Sequence, residues 1–303
     1  MYENETKGGV LCFSKPAGCT SHDVIYKIRK LFQTKQVGHT GTLDPMATGV
    51  LVIMVGRAVK ASEFLMADTK EYIAGLKLGL TTDTEDITGE ILTRYEGDMP
   101  SKENVESVLL NFTGDIMQVP PMYSALKVGG KKLLDLARAG KEIERDARPV
   151  RVDSLSMTTQ VSDDEYKIKA RVSKGTYIRT LCADIGKALG TGGVMSSLER
   201  TMSGGFRLED SYTYEMLENM TTEERYSCLK PTESLFTELS AVKLPPFFAR
   251  LARNGCEIYQ RKIRTNYPTG VLVRLYDGDE FFAIGEVKDY EDGSAIKPVK
   301  QFF

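Results

Sequence analysis

The chain has 303 residues, room for one large unit plus a small one, and its 41% hydrophobic and 27% charged content is that of a soluble globular protein. A net charge of −2 at pH 7 excludes a uniformly basic nucleic-acid binder, so any RNA surface must be local, with acids segregated elsewhere. Five scattered cysteines without a Cys-x-x-Cys pair, and only His22 and His39, support neither a disulfide framework nor a zinc site.

No leader pattern and no membrane-length apolar run is read, so a cytoplasmic protein with buried reduced thiols is expected. Residues 10–16 read as a short strand ending at Pro16. Thr20-Ser21-His22-Asp23 has the form of a capping box, with Thr20 as N-cap and Asp23 three residues on. Val24, Ile28, Leu31 and Phe32 follow at helical spacing. The stretch Gly38-His39-Thr40-Gly41-Thr42-Leu43-Asp44-Pro45-Met46-Ala47-Thr48-Gly49 comes next, a loop by composition. Its glycines permit backbone angles that other residues resist, and Pro45 biases Asp44 away from helix. An apolar run over residues 50–55 reads as a buried strand. The outcome is one acid on a stiff loop, braced against a core strand and open to a flat ligand. On residue types alone, a structural turn is the favoured reading of the stretch.

A helix over residues 58–66 leads to a strand in which Tyr72, Ala74, Leu76, Leu78 and Leu80 alternate with their neighbours, Tyr72 heading the apolar face. The acid-rich residues 81–89 fail the spacing of a calcium-binding EF-hand and read as a connecting loop. Pro100-Ser101 opens a helix through Val105 and Leu109. Two adjacent prolines, Pro120 and Pro121, then impose extended chain. Lys127, Lys131, Lys132, Arg138, Lys141, Arg145, Arg148 and Arg151 follow within one span, and Asp135, Glu142, Glu144 and Asp146 cancel only part of that charge. Such a span is either a solvated face laced with ion pairs or a segment that contacts phosphates. Strands are expected over residues 150–157 and 166–173. Ile178, Leu181, Cys182, Ile185 and Leu189 then mark an amphipathic helix. Arg179 falls in its first turn, where a cation opposes the helix dipole and calls for a partner. Past about residue 235 the character changes. Pro245-Pro246 read as a linker-like break, and residues 271–276 and 280–287 flank Asp277-Gly278 as a hairpin.

Over residues 8–235, in separated segments that keep their order, the chain resembles the TruB family, the tRNA pseudouridine synthases that modify uridine 55 in the T arm. The resemblance rests chiefly on the stretch around Asp44, on Lys70-Glu71-Tyr72, on the segment from Gln118 to Lys127, on Ser173 to Leu181 and on Leu198 to Phe206. It implies a mixed α/β (α+β) catalytic domain, residues 1–235, around a largely antiparallel sheet. It also implies a small PUA-like β-domain over 236–303, for which a structural cap is the alternative. Asp44 is the implied catalytic acid, Tyr72 stacks on the flipped uracil, and Arg179 pairs with Asp44. Tyr177 is a second aromatic of the site, Leu198 lines the uracil pocket, His39 fills the gap left by the flipped base, and Lys15 lies near the substrate. Residues 124–151 correspond to the family's thumb insertion, with Lys127, Lys131, Lys132, Arg138 and Arg145 toward RNA. Leu134 stands where the family often has a tyrosine. The implied partner is the tRNA T stem-loop, met by a monomer with no obligate protein partner, no membrane, no metal and no organic cofactor. Two rivals are an RNA-binding protein without chemistry and a glycosylase that uses Asp44 with water.

Overall fold

A computed structural model of the chain describes residues 8–64, 69–124, 126–141 and 143–303. Strand β1 (Gly9–Lys15) leads into helix α1 (Ser21–Leu31). The expected capping box is present. The Thr20 hydroxyl accepts from the Asp23 N–H at 3.1 Å, and the Asp23 carboxylate accepts from the Thr20 N–H at 2.9 Å. Both bonds satisfy donors that the start of a helix leaves open. β2 (Val37–His39) and β3 (Thr48–Val55) pair antiparallel, and the Asp44 loop joins them. β3 also pairs antiparallel with β1 and is buried along nearly its whole length, as its unbroken apolar run requires.

The helix expected around residues 58–66 is present as a 3-10 helix, Gly56–Phe64; residues 65–68 lie outside the described residues. Ala58 and Ala61 are both fully buried, and their spacing of three suits the tighter helix. β4 (Lys70–Leu78) and β5 (Leu80–Thr82) realise the expected alternating strand, interrupted at Gly79 (φ 87°). β6 (Ile91–Arg94) pairs with β5, and α2 (Lys102–Leu110) is capped by Ser101. After β7 (Gly114–Gln118) the basic insertion forms a small hairpin, β8 (Lys127–Val128) and β9 (Lys131–Lys132), and a short helix α3 (Leu133–Arg138). The chain returns through β10 (Arg148–Ser162), β11 (Glu165–Val172), α4 (Ile178–Ala188), β12 (Gly193–Ser203) and β13 (Phe206–Arg207). Two short helices follow, α5 (Tyr214–Glu218) and α6 (Thr222–Ser227).

The large sheet runs β1-β3-β12-β4-β11-β10-β7, with β2 on β3 and β13 on β12. Its pairings are antiparallel except β12 with β3, which is parallel (Glu199 beside Thr48, Arg200 beside Gly49). That one parallel contact brings β12 alongside the exit of the Asp44 loop. The apolar face of β4 and β11 packs against α4 and α2, where Ala74, Leu76, Tyr166, Ile168, Leu181, Ile185, Val105 and Leu109 form one core. α1 lays Val24, Ile25 and Ile28 on Leu11, Phe13, Leu51 and Ile53.

A second sheet is built from β14 (Ser240–Leu244), β15 (Ile258–Tyr259), β16 (Leu272–Asp277), β17 (Glu280–Tyr290) and β18 (Gly293–Gln301), in the order β14-β16-β17-β18-β15. Helices α7 (Pro246–Arg253) and α8 (Gln260–Ile263) pack on it. The expected Asp277-Gly278 hairpin joins β16 to β17, with Gly278 at φ 61°. Pro245-Pro246 is not a linker. Pro246 is the first residue of α7, where a fixed φ favours helix and the missing N–H has no helical partner to lose. β14 precedes it and already belongs to this sheet. Met54, Ala58 and Ala61 meet Phe236 and Ile284 in an apolar seam between the two sheets. All five cysteines are free thiols; Cys12 and Cys182 are buried, with pKa values pushed up by burial to about 11 and about 12, whereas Cys256 is exposed, against expectation.

Candidate active site

Residues 40–47 run from β2 to β3 in turns and bends, so their backbone polar groups need partners other than a strand ladder. Buried side chains from β1, α1 and β12 supply them. Lys15 is fully buried, and its Nζ donates to the carbonyls of Pro16 (2.8 Å), Pro45 (3.3 Å) and Ala47 (2.7 Å). The Ser21 hydroxyl accepts from the Leu43 N–H at 2.9 Å and donates to the Leu43 carbonyl at 3.1 Å. Arg200, 1% exposed, donates from Nε to the Val50 carbonyl (2.6 Å), from Nη2 to Gly41 (3.1 Å) and from Nη1, at longer range, to Thr42 (3.5 Å). Gly49 makes the close approach of β12 possible. It sits at φ 98°, and a Cβ there would lie 2.3 Å from the Arg200 carbonyl oxygen.

Asp44 projects from this braced loop onto Arg179. The Arg179 Nε lies 3.0 Å from Asp44 Oδ2, and its side chain is 7% exposed against 34% for the acid. The rest of the guanidinium is also engaged: Nη1 donates to the Thr84 carbonyl (3.1 Å) and lies 3.8 Å from Asp86 Oδ2, and Nη2 donates to the Tyr123 carbonyl (2.8 Å). Asp86 is held in turn by the Thr88 N–H (2.9 Å) and by the hydroxyls of Thr88 (2.6 Å) and Thr84 (2.9 Å). The acid-rich stretch read as a mere connection therefore supplies a second, buried carboxylate to the site. Its signal in the sequence was the Thr-x-Asp-x-Thr pattern, which folds hydroxyls back onto one acid.

Burial raises the pKa of Asp44 above its ordinary 3.8. The Arg179 guanidinium and Lys15 pull it down, Asp86 pushes it further up, and the net direction is upward. Arg179 thus offsets the desolvation of the acid without cancelling it.

Gln118 anchors the start of the helix that carries Arg179. Tyr177 is the N-cap of α4 but makes no side-chain cap. Instead the Gln118 amide brackets its backbone, accepting from the Tyr177 N–H (2.8 Å) and donating to the Tyr177 carbonyl (3.1 Å). The Tyr177 ring is half-buried, and burial pushes its phenol pKa up. Tyr72 on β4 sits opposite Arg200 on β12, and Leu198 opposite Ala74. Tyr72 and Leu198 share one buried cluster with Leu43, Ala47 and Ile178, which places the aromatic and the leucine beside the acid's loop. His39 ends β2, half-buried, with its Nδ1 enclosed and without a hydrogen-bond partner among the described residues. Burial, then the charges of Arg200 and His22, lower its pKa and favour the neutral imidazole.

Lys15, expected near the substrate, is enclosed behind the loop, and its donors go to carbonyls. In the insertion, Lys127 faces Lys132 across the β8–β9 hairpin, beside Lys131, and Arg138 ends α3. The side chains of Lys127, Lys131, Lys132 and Arg138 lie outside the described residues. Arg145 and Arg148 line a cavity of about 190 Å³ at the root of the insertion, with Pro120, Leu126 and Leu133. Ser21, Asp86, Gln118 and Arg200 were not singled out from the sequence as parts of the site. Each acts through long-range bonds to backbone or to another side chain, which residue type alone does not announce.

Residues 29–178 match the family described as TruB family pseudouridylate synthase (N terminal domain), and residues 179–237 match the tRNA pseudouridylate synthase B C-terminal domain. The junction of these two matches falls inside α4, while the large sheet continues to β13. The tRNA pseudouridine synthase B of Clostridium tetani (strain Massachusetts / E88) is 40% identical over 278 residues, 92% of this chain and 95% of that protein. That of Francisella philomiragia subsp. philomiragia is 41% identical over 298 residues, 97% of this chain and 94% of its own. Among solved structures, a chain in the crystal structure of a Cbf5-Nop10-Gar1 complex superposes with a TM-score of 0.77 at 26% identity, covering 100% of this chain and 87% of that one. A chain from an H/ACA RNP bound to a substrate RNA containing 2'-deoxyuridine gives 0.74 at 26% identity, covering 99% and 87%. By fold and by sequence the protein is a pseudouridylate synthase. Within that class it belongs to the TruB family.

Proposed function

We propose that this enzyme converts uridine 55 in the T arm of tRNA to pseudouridine, with Asp44 as the reacting acid. The observation that carries the proposal is the Asp44–Arg179 pair at 3.0 Å, set on a loop whose carbonyls are gripped from behind by Lys15, Ser21 and Arg200. The reaction breaks the N1–C1′ bond, turns the base, joins C1′ to C5, releases the C5 proton and puts a proton on the freed N1. It is redox-neutral and adds no water.

A stacked base cannot reach Asp44. Flipping it out costs roughly a few kcal/mol of stacking. Stacking on Tyr72 returns about 1–3 kcal/mol, Tyr177 offers a second aromatic surface, and Leu198 supplies an apolar wall. His39, as neutral imidazole, enters the RNA stack without carrying a charge into it. Asp44 acts as a carboxylate nucleophile, which divides one hard step into two easier ones. Arg179 orients the carboxylate and favours its ionised form, while Asp86 and the carbonyls of Thr84 and Tyr123 hold the guanidinium in place. The Tyr72 hydroxyl relays the C5 proton, passing its own to solvent as it takes that one. Lys15 acts on the loop and not on the RNA.

The basic insertion, with Lys127, Lys131, Lys132, Arg138 and Arg145, contacts phosphates of the T stem, and recognition there is mainly of shape and of the flipped base. The catalytic domain comprises residues 1–235 and the PUA-like β-domain 236–303. The enzyme works on tRNA as a cytoplasmic monomer without an obligate protein partner.

The test is tritium release from unmodified tRNA carrying uridine tritiated at C5, with purified protein and nothing added. The expected result is close to one tritium per tRNA, with the product mapped to the T loop. Free uracil in the supernatant refutes the synthase in favour of a glycosylase. Tight binding without tritium release refutes catalysis in favour of RNA binding.

A further inference from the structure

We infer that Arg200 is a positioning residue for Asp44: its guanidinium staples the entry and the exit of the catalytic loop, and so governs turnover more than tRNA affinity. The inference rests on the proposed role of Asp44.

Arg200 is one of the largest fully buried side chains of the protein. Among the described residues its hydrogen-bond partners are carbonyls, and no acid pairs with it. A buried cation without an acid is costly, and it persists where carbonyl dipoles are fixed around it. Here those dipoles belong to both arms of one loop. Gly41 and Thr42 lie before Asp44, and Val50 lies after it on β3. Lys15 and Ser21 hold only points within the loop, at Leu43, Pro45 and Ala47. Arg200 alone among these three spans its two ends. The planar, forked guanidinium reaches both arms at once, which a single ammonium or amide does not.

The backbone of Arg200 adds a second constraint. Arg200 stands beside Gly49 in the parallel contact with β3 and opposite Tyr72 in the antiparallel contact with β4. Leu198 lies two residues earlier on the same strand, also buried. One residue therefore fixes the acid's loop relative to the stacking aromatic and the pocket wall. Catalysis is sensitive to such placement, since a shift of about 1 Å costs about 100-fold in rate. Affinity for tRNA is spread over many phosphate contacts and is not sensitive to it.

The experiment uses the full chain with Arg200→Lys, Arg200→Gln and Arg200→Ala. It measures the tRNA dissociation constant, the single-turnover rate of tritium release at saturating enzyme, and amide hydrogen exchange by mass spectrometry. Arg200→Lys and Arg200→Gln are expected to bind tRNA within about 3-fold of wild type while the single-turnover rate falls by about 30- to 100-fold. Amides of residues 41–50 should exchange faster, and those of α4 should not. Methylguanidine should restore part of the rate to Arg200→Ala and none to a Ser21→Ala control, a recovery that general stabilisation does not mimic. If Arg200→Ala does not fold, Arg200→Lys decides by its rate. A rate within about 3-fold of wild type, an affinity loss as large as the rate loss, or unchanged exchange at 41–50 each overturns the inference. A wild-type protein that releases no tritium refutes the proposed reaction instead, and the exchange measurement still reports whether Arg200 holds the loop.

Discussion

Replacing Ser21 with alanine removes one oxygen and strands two backbone groups. Ser21 is 2% exposed, and its hydroxyl meets both the N–H and the carbonyl of Leu43, at 2.9 and 3.1 Å. Leu43 is itself buried, so neither group gains water when the hydroxyl is lost. An unsatisfied buried polar group costs about 1–3 kcal/mol, and the small void left behind allows partial relaxation, so about 2–4 kcal/mol is expected for the pair. At about 2 °C per kcal/mol for a chain of this size, the Tm falls by about 4–8 °C. The same loss frees the residue next to Asp44, and turnover should drop by about 10- to 100-fold. The capping box stays intact, because Thr20 and Asp23 make it without Ser21. A thermal melt and a single-turnover tritium-release assay on Ser21→Ala check both effects. If the Tm holds within about 1 °C and the rate within about 2-fold, Leu43 is not anchored through Ser21 and the account of the loop is wrong.

Asp44→Asn should abolish tritium release and leave the tRNA dissociation constant within about 3-fold, since the charged groups of the insertion are untouched. The pKa of Asp44 is raised above 3.8, so its ionisation weakens the fold: the cost is absent below 3.8 and complete above the raised value. Asp44→Asn should therefore melt no lower than wild type at pH 7, with any gain shrinking as pH falls toward 3.8, and a lower melting point at pH 7 would contradict the assigned direction. In a pH profile of kcat/KM, the acid limb should lie above the range of an ordinary aspartate, and Asp86→Asn should move it down, because Asp86 pushes the Asp44 value up. Gly49→Ala places a Cβ 2.3 Å from the Arg200 carbonyl at φ 98° and should cost about 2–4 kcal/mol in denaturant unfolding. Reversing charge at Lys131 and Lys132 together should raise the tRNA dissociation constant and flatten its dependence on salt; unchanged affinity and slope would remove the insertion from the RNA interface.

What was legible in the sequence was local. The capping box at Thr20, the buried run of β3, the alternation of β4, the amphipathic α4 and the Asp277-Gly278 hairpin each follow from contacts within a few residues, and each is present. For Arg179 the helix position only favoured some partner; it was the family resemblance that pointed to Asp44, and the two side chains do pair. What escaped was long-range side-chain recognition. The bonds of Ser21, Gln118 and Arg200 reach across 22, 59 and 150 residues. Within the sequence Ser21 looks like part of a cap, and nothing near Gln118 or Arg200 in the chain marks the partners they reach. Lys15 is expected near the substrate, and a lysine's pattern does not reveal that the carbonyls of Pro16, Pro45 and Ala47 bury it. Pro245-Pro246 misled because a proline pair starts a helix as readily as it ends a unit.

The way the loop is held has a consequence for what it can do. A strand would satisfy its own backbone through a neighbouring strand, and that neighbour's side chains would crowd the space in front of the acid. Residues 40–47 are instead gripped by Lys15, Ser21 and Arg200, which reach the loop from β1, α1 and β12. The cations then lie on the carbonyl side of the loop, and the Asp44 carboxylate turns to Arg179 on α4. Backbone rigidity and an open approach are thereby obtained together, and a flipped base needs both. Two of the chain's cations, Lys15 and Arg200, are thus spent on ordering the Asp44 loop, buried among its carbonyls.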